Sequence, residues 1–198
     1  GKLARAIERQ GTLPAPAAGV LPTEVRLMDL PPRVDGQPLL GISDATLAPV
    51  GFDVSGTFLI SGGPQSGRST ALAAMALAIR RWDPSATMVY LGNRRSALPS
   101  ALDWDHVATN PEDVTEIAKK LTETIASERH DKYVVVIESI SEFAGPPTDG
   151  AIVELVRAIK RTDHMVLAES ETSTWGSSFP LFAEIKSGRR GLLLQPES

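Results

Sequence analysis

Gly62-Gly63-Pro64-Gln65-Ser66-Gly67-Arg68-Ser69-Thr70 is the stretch on which the reading of this chain turns. It follows the phosphate-binding loop pattern G-x-x-x-x-G-K-[ST], with arginine at the lysine position. Thr57-Phe58-Leu59-Ile60 precedes it and reads as a short buried strand. Ala71 to Ile79 follows, built of helix formers and almost wholly apolar, and Asp83-Pro84 stops it. Strand, glycine-rich loop and helix together form the context that the pattern requires.

Each position has a chemical reason. Gly62 and Gly67 let the backbone turn sharply and bring N–H groups to phosphate oxygens. The helix start behind them adds about half a positive elementary charge. Ser69 stands where a hydroxyl would ligate Mg²⁺. Arg68 is cationic and can grip β- and γ-phosphates, but its planar fork is bulkier than an ammonium. Gly63, Pro64, Gln65, Ser66 and Thr70 complete the predicted nucleotide-binding set.

A hydrolysing site also needs acids at the end of a second buried strand, for the metal's water shell and for the attacking water. Tyr133-Val134-Val135-Val136-Ile137-Glu138-Ser139 is the candidate, a β-branched run suited to a central parallel strand. In one register Glu138 takes the metal position and the neutral Ser139 the place of the second carboxylate. In the other, Glu138 polarises the water and Ile137 falls at the metal. Either way one acid is missing, which favours binding over fast turnover. Met165 to Ala168 reads as another strand, with Glu169 and Thr172 after it as candidate γ-phosphate sensors.

The 198 residues suffice for one α/β domain with a real core. The 42% hydrophobic and 22% charged residues are ordinary for a globular domain. No apolar run is long enough to span a bilayer, and there is no signal-peptide pattern. Without cysteine, disulfides and thiolate metal sites are excluded. His106, His130 and His164 lack ligand spacing, which argues against zinc. A net charge of −4 and dispersed basic pairs argue against this piece alone wrapping nucleic acid.

Along the chain, residues 3–10 are expected as a short helix, 13–19 as a proline-rich linker and 20–38 as an extended strap. Residues 39–198 would form the ATPase-like domain, cut from a longer chain. Leu39 to Ile42 and Pro49 to Val54 read as paired strands. Thr87 to Leu91, His106 to Ala108 and Gly191 to Leu194 are further strands. Asn110-Pro111-Glu112-Asp113 is a helix start, with Val114, Ile117, Leu121 and Ile125 on one face. A helix from near Thr148 carries Ile152, Leu155, Val156 and Ile159. The alternation implies a mostly parallel sheet with helices on both faces.

These features together resemble the FtsK/SpoIIIE superfamily of motor ATPases, and most of all the degenerate C-terminal modules of actinobacterial multi-module members such as EccC of type VII secretion. The resemblance rests on the Leu21-Pro22 strap, Leu40 to Ser43 with Leu47 to Val50, and Ser61 to Thr70. Asp105 to Thr109, Val134 to Ser139 and Gly188 to Leu194 complete it. It implies a RecA-like core, ATP and Mg²⁺ as ligands, and modules in series in a longer, membrane-anchored hexameric translocase with its ATPase part in the cytoplasm. Glu138 and Ser139 would be the catalytic positions, and Ser69 with Glu138 the metal side. The expected function is an ATP-binding module with weak or no hydrolysis, serving regulation or substrate recognition. The alternatives are an active DNA or protein-secretion motor completed by neighbouring subunits, and a vestigial P-loop module that binds a signal peptide. Arg189 or Arg190 is a candidate to reach a neighbour's nucleotide.

Overall fold

The computed structural model describes residues 20–22, 24–127, 131–145 and 147–195. The helix expected over 3–10 and the linker over 13–19 lie outside them. Nine strands are described: β1 (Arg33–Val34), β2 (Gln37–Ile42), β3 (Pro49–Gly51), β4 (Gly56–Gly62), β5 (Thr87–Leu91), β6 (His106–Ala108), β7 (Tyr133–Ile137), β8 (Met165–Glu171) and β9 (Gly191–Leu194). The helices are α1 (Arg68–Trp82), α2 (Leu98–Ala101), α3 (Pro111–Ala126), α4 (Thr148–Lys160) and α5 (Pro180–Lys186).

Six strands form one sheet in the order β6-β5-β7-β8-β4-β9, and every neighbouring pair is parallel. The strand–helix alternation predicted this, since parallel neighbours need a long crossover between them. β7 shows the consequence: all five of its residues are buried, because helices cover both faces. Val134 and Val136 point to one core, with Phe58, Ile60, Met88 and Leu167, under α1 residues Leu72, Met75 and Ile79. Val135 and Ile137 point to the other, under α3, α4 and α5 residues such as Val114, Leu121, Ile152, Leu155 and Phe182. Burying each such side chain contributes about 2 kcal/mol.

β1, β2 and β3 make a separate antiparallel sheet. The expected pair is present, but the second strand ends at Gly51 rather than Val54. Phe52 and Val54 leave that sheet to join the core under α1. The strap is tied down by side chains of α1: Arg81 donates to the carbonyls of Leu27 and Leu30 at 2.6 and 3.1 Å. Trp82 Nε1 donates to the Gly36 carbonyl at 2.8 Å.

Two elements differ from expectation in ways that matter to the site. β8 continues three residues past Ala168, because Glu169, Ser170 and Glu171 pair with Ile60, Ser61 and Gly62 of β4. No sequence pattern marks α5, a seven-residue helix whose Leu181, Phe182 and Ile185 are buried.

Candidate nucleotide-binding site

In a parallel sheet the carboxyl ends of the strands lie along one edge, and ligands gather there. The loops after β4, β7 and β8 meet at that edge. The order β7-β8-β4 places the end of β8 between the P-loop and the Glu138-Ser139 turn.

The loop itself is an anion nest. Gly67 caps α1 with φ +91°, a left-handed conformation that suits glycine, and Ala71 N–H makes the first helical bond, to the Gly67 carbonyl at 2.9 Å. The N–H groups of Gly67, Arg68, Ser69 and Thr70 therefore have no helical acceptor and are directed outward from the first turn. Gly62 is required for a different reason. A Cβ there would lie 2.2 Å from Ser66 Oγ, so the serine folds into the space a side chain would fill. Ser66 Oγ is buried and has no hydrogen-bond partner. Gln65 also has positive φ, +60°, while Ser69 and Thr70 are exposed at the mouth.

Gly63, Pro64 and Ser66 line a cleft of about 710 Å³, closed opposite by Glu171, Thr172, Leu193 and Gln195. Free amide donors, an unpartnered buried hydroxyl and this space fit the phosphates of a nucleotide. Among the described residues there is no cluster of three metal-ligating side chains. Ser69 and Glu138 are the side chains that would hold a magnesium ion there.

Arg68 does not extend into this cleft. Its Nε donates to Glu169 Oε2 at 2.8 Å, and its Nη1 donates to the carbonyls of Gly62 and Gly63 at 2.6 and 2.9 Å. Nη2 lies 3.7 Å from Glu171 Oε1. The guanidinium is folded back on the loop, its charge matched by a carboxylate that is only 2% exposed.

Glu138 is buried at the end of β7. Its Oε2 accepts the Tyr90 hydroxyl at 2.5 Å. Burial, and then that hydrogen bond, push the Tyr90 hydroxyl far above its ordinary range, so it remains a donor. Ser139 is left-handed, with φ +53°, and its N–H donates to Glu169 Oε1 at 2.5 Å, with Oγ at 3.3 Å. Thr172 shares a hydrogen bond with Ser61 of β4 at 3.0 Å. Arg190 bonds Asp53 and the Ser55 carbonyl of its own chain, while Arg189 is exposed.

The structure therefore gathers Gly62 to Thr70, Ser139 and Glu169 at one edge. It adds Tyr90, which the sequence reading did not single out. No periodic signal marks Tyr90, since it is one of four consecutive apolar residues in β5; only the adjacency of β5 and β7 brings it to Glu138.

No family model matches the sequence, and no curated relative does. Solved structures do match. The cytoplasmic domain of the Thermomonospora curvata type VII secretion ATPase EccC superposes with a TM-score of 0.76 at 18% identity, covering 91% of this chain and 24% of that one. The fold is that of a RecA-like P-loop ATPase. Thermomonospora curvata EccC ATPases 2 and 3, in complex with a signal sequence peptide, match with a TM-score of 0.71 at 16% identity over 90% of this chain and 38% of that one. The cytoplasmic domain of EssC gives 0.65 at 16% identity over 83% and 36%. At these identities the likeness is one of fold, and this P-loop chain spans about a quarter of the first EccC chain. Among the described residues no helix is long and apolar enough to cross a membrane.

Proposed function

We propose that this chain is an FtsK/SpoIIIE-type ATPase module of a multi-domain translocase, one that binds Mg-ATP and hydrolyses it weakly or not at all. The observation that carries the reading is the phosphate nest: outward N–H groups at the start of a 15-residue helix, beside a cleft lined in part by Gly63, Pro64 and Ser66, whose buried hydroxyl is unpartnered. Gly62 to Thr70 hold the phosphates, and Ser69 ligates the metal. Slow turnover follows from the second half of the site. Ser139 is a neutral hydroxyl where a carboxylate is needed to orient water, and Glu138 is held by Tyr90.

The module acts in series with other ATPase modules of its parent chain, within a hexamer on the cytoplasmic side of a membrane-anchored translocase. Its role is regulation or recognition of cargo. The likeness to EccC modules supports a secreted protein's signal peptide as that cargo over DNA, because one of those neighbours has a signal sequence peptide bound.

Calorimetric titration with Mg-ATP and a steady-state phosphate-release assay test the reading. Saturable binding with a thermal stabilisation of about 2.7 kcal/mol at one hundred times Kd is expected. Turnover near ~10 s⁻¹, typical of a working enzyme, would instead make the chain a motor. Absence of any nucleotide binding would leave a vestigial loop in a protein-interaction module.

A further inference from the structure

The Glu169 carboxylate sits where three loops converge, and both of its oxygens are engaged. Oε2 takes Arg68 Nε, and Oε1 takes the Ser139 N–H and hydroxyl. Guanidinium and backbone N–H groups also bind phosphoryl oxygens, so Glu169 occupies donors that a phosphate could take. Arg68 has five N–H donors. Nε and Nη1 are already committed, to Glu169 and to two carbonyls of the loop that must receive the phosphates.

Charge points the same way. Glu169 and Glu171 both flank Arg68, and both carboxylates line, with Glu142, a cavity of about 310 Å³ beside it. A polyanion arriving at the loop meets a neutralised arginine and a surplus negative charge. Ser139 is held in a left-handed conformation uncommon for a residue other than glycine, and this aims its N–H at Glu169. The carboxylate thus ties the end of β7 to the P-loop.

Resting on the nucleotide reading above, we propose that Glu169 is an acidic latch that competes with the terminal phosphate of the nucleotide for Arg68 and for the Ser139 N–H. Triphosphate binding releases Arg68 from Glu169, and a divalent cation would offset the repulsion between the incoming phosphates and the acids left behind. Occupancy of the loop is thereby coupled to the turn at Ser139, two strands away. Glu169 determines how tightly the site holds its ligand and how strongly binding depends on magnesium.

Glu169→Gln tests this by calorimetry with ATP and ADP, each with magnesium and with EDTA. Glu154→Gln, on the exposed face of α4 at 63% side-chain exposure, controls for net charge. The latch predicts that Glu169→Gln binds ATP at least about tenfold tighter than the parent chain. The gain should be larger in EDTA, and ADP should gain less than ATP. A purely structural role would weaken binding, not tighten it. Equal Mg-ATP affinities in parent and variant would overturn the latch and leave the nucleotide reading standing. No nucleotide bound by either protein would overturn both.

The parent chain offers a second measurement that does not require the variant to fold. The Arg68 Nε–Hε resonance in a proton–nitrogen correlation spectrum, assigned by its loss in Arg68→Lys, should exchange slowly and shift when Mg-ATP is added. A resonance that stays in place while nucleotide binds would overturn the proposal.

Discussion

Arginine at position 68 is both the departure from the P-loop pattern and the residue with the most partners at the site. Its side chain is 18% exposed and that of Glu169 is 2% exposed, so the pair is largely removed from water. Breaking such a pair from one side strands the other charge, at a cost of roughly 3–5 kcal/mol. Arg68→Ala is therefore expected to destabilise the nucleotide-free protein by about that amount, read as a fall in urea midpoint at constant m-value. The double change Arg68→Met with Glu169→Leu should recover most of the loss, since it removes both charges. The glycine pattern of the loop was legible in sequence because its function needs particular residue types. The partner of Arg68 was not. The sequence pattern ends the strand at Ala168 and leaves Glu169 beyond it, whereas β4 pairing carries that strand on to Glu171 and buries the acid.

At the scale of the element, the sequence is most readable where local chemistry suffices. Asn110 caps α3: its side chain accepts the Asp113 N–H at 2.9 Å, with Pro111 at the first helical position. Asn110→Ala should cost about 1 kcal/mol, seen as a Tm lower by roughly 2–4 °C for a domain of this size. Val114, Leu121 and Ile125 of that helix are buried as their spacing implied. α5 lies at the opposite extreme. Seven residues are too few to form a stable helix alone or to show a period. It exists because Leu181, Phe182 and Ile185 find a ready core, with Phe182 packed edge-to-face on Trp175 at a centroid distance of 5.4 Å.

For the molecule as a whole, one histidine links stability to pH from the edge of the sheet opposite the P-loop. His164 precedes β8, is 8% exposed, and its Nδ1 accepts the Tyr133 N–H at 3.2 Å. Burial first, and then the Lys132 ammonium, hold its imidazole below the ordinary range, with Asp163 pulling the other way. The unfolded chain binds a proton near pH ~6.5, while the folded chain resists it until a lower pH. This contribution is complete above the unfolded value and is lost as the pH falls from there to the folded value, with a slope of up to about 1.4 kcal/mol per pH unit. Denaturation midpoints at pH 7.5 should thus exceed those at pH 5.5. His164→Asn, which keeps an acceptor without a titrating ring, should flatten that difference.

The sequence by itself determined the kind of protein this is: a glycine loop between strand and helix, strands alternating with helices, and a parallel sheet buried on both faces. Those properties depend on residue type and on spacing within a few turns of chain. The state of the site was decided by strand order. β8 inserts between β7 and β4, so a carboxylate 101 residues from Arg68 in sequence becomes its partner. β5 lies beside β7, so Tyr90 takes hold of Glu138. Pairing between distant strands follows from burying the whole sheet at once, and no local pattern around Gly62 to Thr70 records which acids it will bring to the arginine.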